Sequence, residues 1–574
     1  MKILVVDLTS RTIKERPLSD PLSGGRLLTA QLVTEFVPPK TDPLSPENTL
    51  VFAAGALASR GVSTSGRLSV GAKSPLTQGI KESNSGGMAG DSMAQLGYRA
   101  LVVTGTCPLE RPAVLLIDEN GVQFKDAAPF LGLGNEATVA SLTQAFGQEY
   151  VIVSIGPAGE QRYKAAGIAV TDENGKPFRF AARGGLGAVM GSKGLKAILI
   201  KRSKRFSSNS DNSRQAVTAF NKFVATSERV KELRNYGTAS TVMLTQNLRG
   251  LPTNNFSKGE FESAESIGGD SLREMILARG GEGTPTEACM AGCVIQCSNI
   301  FADADGKFSV APMEYETIGL CGSNLGLASL DEIAQINRIC NDLGLDTIEV
   351  GAALGVMMEA AESVPTPAKY REQLPRFGDG KRAAEIVEGI REGSELGMLA
   401  ANGVVAAGQA LGVTHIPAVK GQAISAYDPR VVKGTGVTYA TTPQGADHTA
   451  GLTVFIPVDP RDPVKALQLS RNTQLQRASY DALGLCAFNL GATGQRPELV
   501  LEMLRKAYGV ELPDNWLDEL GKNVIRTERF FNKAAGLTSA DDRLPEYFTR
   551  EPLPPSGDVF DVSDEELARF WDNL

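Results

Sequence analysis

Glu287-Ala288-Cys289-Met290-Ala291-Gly292-Cys293-Val294-Ile295-Gln296-Cys297 sets three thiols on one short segment, and a fourth, Cys486, closes Asp481-Ala482-Leu483-Gly484-Leu485-Cys486 nearly two hundred residues later. Three close thiolates plus one distant one is the ligand count of a cubane iron–sulfur cluster. Such a cluster moves one electron at a time, so the remaining sequence must account for where the electrons come from. Two alternatives stand beside this reading. Four thiols also suit zinc, although structural zinc sites usually bring cysteines as two close pairs, and buried cysteines need bind nothing. Cys107, Cys321 and Cys340 share no such pattern and read as core or loop residues.

The 574 residues exceed what one hydrophobic core serves, and three or four domains are expected. A net charge of -8 and the lack of any basic run argue against a nucleic-acid binder. Seven cysteines, an odd number, argue against a disulfide framework and suit a reducing compartment. Met1-Lys2-Ile3-Leu4-Val5-Val6-Asp7-Leu8 is a short β-like run rather than an export signal, and no apolar run is long enough to span a bilayer. The expectation is a cytoplasmic protein without a membrane span. The 61 glycines imply many tight turns or close backbone approaches to something bound.

Up to residue 203 the chain reads as strands and turns. Leu50–Ala54, Ala100–Thr104, Ala113–Ile117, Tyr150–Ser154 and Ala197–Ile200 are short apolar runs bounded by turn residues or charge. Ser203–Ser213 reads as a polar linker. Helical spacing follows at Gln215–Arg234, Asp331–Leu343, Thr347–Glu362, Arg382–Leu396, Val464–Leu483 and Pro497–Tyr508. No internal repeat of fixed period is visible.

Two glycine-rich loops stand out: Ser83-Asn84-Ser85-Gly86-Gly87-Met88-Ala89-Gly90, and Arg183-Gly184-Gly185-Leu186-Gly187 running on to Lys193. Each lets backbone amides approach an anion closely, and each would serve equally as a plain turn. Neither has Walker spacing. Arg67 would add a forked donor, or lie on the surface. Asn341-Asp342-Leu343-Gly344-Leu345-Asp346 and Asp481-to-Cys486 share a Gly-Leu core that ends a helical pattern, as ordinary C-caps do. Only two histidines exist, and His448 sits in a loop-like setting where either a proton-handling or a structural role fits. Glu314 and Glu316 alternate about Tyr315 and are read as buried acids or as a solvated face.

Taken in order, these strings resemble the aldehyde ferredoxin oxidoreductase family of tungsten enzymes. The likeness runs through Ser74-Pro75-Leu76-Thr77, the Asn84 and Arg183 loops, Glu314-Tyr315-Glu316, Gly344-Leu345-Asp346, Lys420-Gly421, Ala426-Tyr427-Asp428-Pro429-Arg430, the His448 loop and Asp481-to-Cys486. The resemblance implies an α+β multidomain fold: a β-rich N-terminal domain (1–203) forming a cofactor base, a helical domain (204–408) with the first three cysteines, and a helical and loop domain (409–574) with the fourth. It implies a tungsten bis-pyranopterin (molybdenum being the alternative), a magnesium ion linking the pterin phosphates, and a [4Fe-4S] cluster on Cys289, Cys293, Cys297 and Cys486. Arg67, Asn84, Gly86, Gly87, Arg183, Gly184, Gly185, Asn341, Gly344, Leu345, Asp346, Asp481, Gly484 and Leu485 are the implied cofactor contacts.

Three departures mark this chain. The cysteines follow C-x3-C-x3-C where the family has C-x2-C-x3-C, Asn341 replaces an aspartate, and Gln444 replaces an arginine. The implied reaction is oxidation of a small aldehyde to a carboxylic acid, with electrons leaving to ferredoxin or a ferredoxin-like iron–sulfur subunit, in a homo- or hetero-oligomer. Glu316 is the expected acid/base, Glu314 the second choice, and His448 the hydrogen-bond partner of the carbonyl oxygen. Two rivals remain: a low-potential reductive enzyme resembling aromatic acyl-CoA reductases, and a non-catalytic iron–sulfur electron-transfer paralogue.

Overall fold

The structure, a computed structural model, describes all residues except 109, 203–210, 364–366 and 368. Most of the stretch read as a linker therefore lies outside the described residues, and its last three residues open the helix Asp211–Thr226.

Twelve strands form two six-stranded sheets. The first holds Lys2–Asp7 (β1), Thr12–Pro17 (β2), Leu50–Ala54 (β3), Leu68–Lys73 (β4), Ile80–Ser85 (β5) and Tyr98–Thr104 (β6) in the order β2-β1-β6-β3-β4-β5. The second holds Ala113–Asp118 (β7), Gly121–Asp126 (β8), Tyr150–Ser154 (β9), Ile168–Val170 (β10), Arg179–Ala181 (β11) and Leu195–Lys201 (β12) in the order β8-β7-β12-β9-β10-β11. In each sheet the first and last strands pair parallel and every other pair is antiparallel. The two halves are one topology used twice. The sequence hides this because the spacing drifts from Lys2 against Ala113 at the first strands to Tyr98 against Leu195 at the last.

The apolar runs explain the layering. Leu50 and Phe52 pack with Leu115, Val151 and Val153 of the other sheet, whereas Val51 and Ala53 pack with Leu28, Leu32 and Val33 of the helix Gly25–Phe36. On the second sheet Val114, Leu116 and Ile152 meet Val139 and Leu142 of the helix Asn135–Phe146. Strands covered on both faces read as continuous apolar runs rather than alternations. The helices are a departure from the expected strands and turns. Both begin after glycine N-caps with no side-chain cap, so neither carries the usual start signal.

The region after the described gap is mainly helical. Leu330–Leu343, Thr347–Ser363, Pro463–Leu483 and Pro497–Tyr508 fall where the apolar spacing puts them. Two expected helices are each divided in two: Asp211–Thr226 from Glu228–Tyr236 at Ser227, and Gly380–Glu388 from Glu395–Ala401 across Gly389 and Gly393. Among the described residues no helix is long and apolar enough to cross a membrane.

Two of these helices end on the β base in the same way. Leu330–Leu343 stops at Gly344 (φ 77°) with Leu345 N donating to Cys340 O (2.8 Å), and Pro463–Leu483 stops at Gly484 (φ 77°) with Leu485 N donating to Tyr480 O (2.9 Å). Both are Schellman turns, for which a left-handed glycine is the natural residue. The next residues bond equivalent loops of the base, Asp346 N to Ala165 O and Cys486 N to Thr64 O, each at 2.9 Å. Contact is backbone to backbone: a Cβ on Gly55 would lie 2.3 Å from Gly484 Cα, and one on Gly156 would lie 2.3 Å from Leu343 O. Buried cations brace the two loops from below, Arg99 donating to Gly55 O and Lys196 to Ile155 O (2.7 Å).

Gly55→Ala has no flexible neighbour to absorb its methyl. It should cost about 3 kcal/mol or more, read as a lowered denaturation midpoint, whereas Gly61→Ala meets open space and should be destabilising only through its positive φ.

Candidate active site

The two docked turns and the strand end β5 enclose an interior space. Arg67, Asn84, Cys289, Cys297, Glu314, Glu316, Arg477 and His448 keep some accessible surface although adjoining residues such as Gly66, Leu68, Tyr315 and Asp447 are buried. The side chains around this space fall into two groups.

The first group surrounds the cysteines. Cys289 docks on the Gly86 turn, with Gly87 N donating to Cys289 O (2.8 Å), and a Cβ on Gly86 would sit 3.3 Å from Cys289 Sγ. Val294 N donates to Ser63 Oγ (3.0 Å), tying the same segment to the base. Cys289 and Cys293 share a hydrogen bond, and Cys297 and Cys486 lie near enough to feel Cys289. Backbone amides serve the sulfurs, Gln296 N toward Cys293 and Phe488 N toward Cys486. The wider C-x3-C spacing is taken up by Gly292, which adopts a φ of 70°. Among the described residues no three His, Cys, Asp or Glu side chains gather as a single-ion site.

Two arginines overlook the thiols. Arg67 donates to Asn84 Oδ1 through Nε and to Asn84 O through Nη2 (3.1 Å). Arg179 donates to Ser298 Oγ and Glu287 Oε2, both at 2.6 Å, and faces Cys289. Glu314 belongs here too. Its backbone is extended (φ -100°, ψ 155°), it accepts from Thr238 Oγ1, and it lies beside Cys297.

The second group lies toward Asp346. Arg183, fully enclosed, donates from Nε to Asp346 Oδ2 (3.3 Å), from Nη1 to Ser425 Oγ (3.0 Å) and Ala446 O (2.6 Å), and from Nη2 to Ala423 O (2.6 Å). Glu316, one step inside the helix Tyr315–Cys321, accepts Ala426 N–H on Oε2 (2.8 Å). Its Oε1 lies 3.4 Å from His448 Nε2 without hydrogen-bond alignment. His448 Nδ1 lies 3.0 Å from Ser425 Oγ. Two residues of sequence therefore send Glu314 to the thiols and Glu316 to the histidine.

Burial sets the charge states here. It pushes the Glu316 carboxyl up to about 8, against the pull of the Ala426 amide and Arg183, with Asp447 and Asp346 adding to the rise. Burial likewise drives His448 down to about 3, Asp447 opposing and Arg183 and Arg477 reinforcing. At neutral pH both are uncharged. Asp447 behaves oppositely: burial would raise it, but the Lys81 and Arg183 charges hold it well below the carboxylate range.

Gly184 and Gly185 have φ of 82° and 73°, and a Cβ on Gly184 would lie 2.4 Å from Lys81 Cγ. Asp481 sits between Arg26 Nη1 (3.4 Å) and Asn84 Nδ2 (3.5 Å). Its counterpart Asn341 instead donates to Ala311 O (3.2 Å), in a niche with Asn135, Phe178 and Phe308. Gln444 links Glu82 N, which donates to its Oε1, with Glu528 Oε1, which accepts from its Nε2, both at 2.6 Å. Arg26 grips that same Glu528 with two hydrogen bonds.

The sequence reading missed Lys81, Glu82, Ser425, Asp447 and Arg477. Lys81 and Glu82 had one usable signal, adjacent charges inside a strand leading to a glycine loop. Burial and the nearby Asp481 raise Glu82 to about 7. The donor set suits a large polyanionic cofactor: Arg67, Lys81, Arg183 and Arg477 supply positive charge, and glycine permits close backbone approach. Glu82 Oε1, Ser85 Oγ and Glu316 Oε1 are buried without hydrogen-bond partners among the described residues.

A duplicated β base is closed by two helix ends, with four gathered thiols on one side and an acid–imidazole pair on the other. Residues 3–202 match the family model described as aldehyde ferredoxin oxidoreductase, N-terminal domain, and residues 215–573 match the one described as its domains 2 and 3. The chain belongs to the aldehyde ferredoxin oxidoreductase family, a family of oxidoreductases. It is 32% identical over 588 residues to the tungsten-containing aldehyde ferredoxin oxidoreductase of Pyrococcus furiosus, spanning 96% of this chain and 92% of that protein. It is 27% identical to the WOR-like subunit of an aliphatic sulfonate oxidoreductase from the same organism, spanning 97% and 90%. Its fold matches a chain of the active-site complex BamBC of benzoyl-coenzyme A reductase with 1,5-dienoyl-CoA, at a TM-score of 0.79 and 19% identity, covering 95% and 90%.

Glu316 should retain a carboxylic C=O infrared band at neutral pH that disappears as the pH rises through about 8 and is missing in Glu316→Gln. Because its pKa is raised from 4.5, ionisation opposes folding, so this group's contribution to stability should fall as the pH climbs from 4.5 to about 8.

Proposed function

We propose that this protein oxidises small aldehydes to carboxylic acids on a tungsten bis-pyranopterin and delivers the electrons through a [4Fe-4S] cluster to ferredoxin or a ferredoxin-like subunit. One observation carries the reading. The Glu316 carboxyl and the His448 imidazole face each other across 3.4 Å, on the side of the chamber toward Asp346. An electron-transfer paralogue would need neither group there.

In this reading Cys289, Cys293, Cys297 and Cys486 hold the cluster. Arg67, Asn84, Gly86, Gly87, Asp481, Gly484 and Leu485 hold one pterin. Arg183, Gly184, Gly185, Asn341, Gly344, Leu345 and Asp346 hold the other, with Asn84 and the Gly184 backbone toward magnesium. When bound, the metal centre supplies a two-electron couple and the cluster a one-electron relay. The protein's own work is positioning and proton handling. His448 Nε2 donates to the carbonyl oxygen of the aldehyde. Glu316, ionising near the operating pH, exchanges the proton that the added oxygen brings. Glu314, turned to Cys297, takes no part in that exchange. Seven unpaired cysteines suit a reducing, cytoplasmic setting.

Enzyme made anaerobically in a host that supplies the cofactor should contain iron together with tungsten or molybdenum, and should reduce a viologen dye on addition of simple aldehydes. Glu316→Gln and His448→Ala should each lower kcat by about 10²–10⁴ with metal content unchanged, while Cys486→Ser should lose iron. Full metal content with no aldehyde-dependent dye reduction would instead point to the reductive chemistry.

A further inference from the structure

Ser425 is fully enclosed, and its hydroxyl meets two site residues at equal distance: Arg183 Nη1 and His448 Nδ1, each 3.0 Å away. A guanidinium can only donate, so Arg183 takes one lone pair of Oγ. The hydroxyl then has one proton to place, and the imidazole nitrogen is the acceptor that faces it. Reversing that bond would bring a second N–H onto an oxygen already polarised by a cation. The serine proton would then be left to Tyr439, whose buried hydroxyl lies beside Ser425 but makes no hydrogen bond of good geometry.

The usual device for orienting a catalytic imidazole, a carboxylate on Nδ1–H, is not in place. Asp447 Oδ1 is 4.0 Å from Nδ1 and already accepts from Thr449 N (2.9 Å) and Thr449 Oγ1 (2.7 Å). Its Oδ2 accepts from Lys81. The short segment 423–426 instead registers the whole group: Ala423 O holds Arg183, Ser425 Oγ joins Arg183 to His448, and Ala426 N holds Glu316.

We propose that Ser425 is a positioning residue that fixes His448 as the Nε2–H tautomer, so that the imidazole presents a hydrogen-bond donor toward Glu316 and the reaction space and leaves proton exchange to Glu316. The tautomer rests on the Ser425–His448 hydrogen bond taking the serine proton, since Tyr439 offers no acceptor of good geometry. Its use on a carbonyl oxygen rests on the proposed aldehyde oxidation.

The chain has two histidines, His415 and His448, so imidazole-¹⁵N labelling of the oxidised holoenzyme yields two ring systems, which the His415→Gln variant assigns. At pH 7 His448 should show a protonated Nε2 and an unprotonated Nδ1. Ser425→Ala should lose that pattern and lower kcat about tenfold or more with KM within about twofold, while Ser425→Thr, which keeps a hydroxyl, should retain the tautomer and recover most of the turnover. A protonated Nδ1 in the wild type would overturn the assignment. So would Ser425→Ala that keeps the wild-type tautomer, whatever its turnover. The expected tautomer in an enzyme that leaves aldehydes untouched would uphold the Ser425 assignment and count against the proposed reaction.

Discussion

Everything around the interior space depends on two helix ends meeting glycine on the β base. Gly484 lies against Gly55, and Leu343 O lies against Gly156, so closely that no side chain could intervene. A Schellman turn exposes the backbone of its last residues in one fixed direction. Here that direction carries Asp346 and Cys486 into hydrogen bonds with the base and brings Asp481 to Arg26 and Asn84. The thiol quartet is therefore completed by a backbone contact and not by a flexible loop. Precision of this kind is what a preorganised redox site requires.

The second constraint is electrostatic. Burying so many ionisable groups forces each to find a partner or give up its charge. Arg26 with Glu528, Lys81 with Asp447 and Arg183 with Asp346 take the first course. Glu316 and His448 take the second. The neutral Gln444 between Glu82 and Glu528 fits the same accounting, because Arg26 already satisfies Glu528 with two hydrogen bonds. An arginine in place of Gln444 would face that neighbouring guanidinium.

Much of this was legible in the sequence, and the reasons are specific. The short apolar runs at residues 50–54, 113–117 and 150–154 announce strands because they are covered on both faces. The spacing of three close thiols and one distant one points to a shared site for Cys486 and the triplet. The duplication was not legible, since drifting spacing and diverged residues leave only the Gly86-Gly87 and Gly184-Gly185 pairs as a trace. The glycine-capped helices Gly25–Phe36 and Asn135–Phe146 lack capping side chains and so gave no boundary. Asp447 sits in the His448 loop and Ser425 just before Ala426, but their roles depend on partners hundreds of residues away, Lys81 and Arg183.

Positions 346 and 486 occupy matching places after matching turns, yet one bears a carboxylate and the other a thiol. Glu316 and the imidazole lie toward the first, and the sulfurs toward the second. A scaffold made by copying has thus acquired a polarity at a single pair of equivalent residues. Any centre seated between them would have a proton-exchanging flank of acid and imidazole and a flank of thiols, so that protons and electrons would depart along opposite routes.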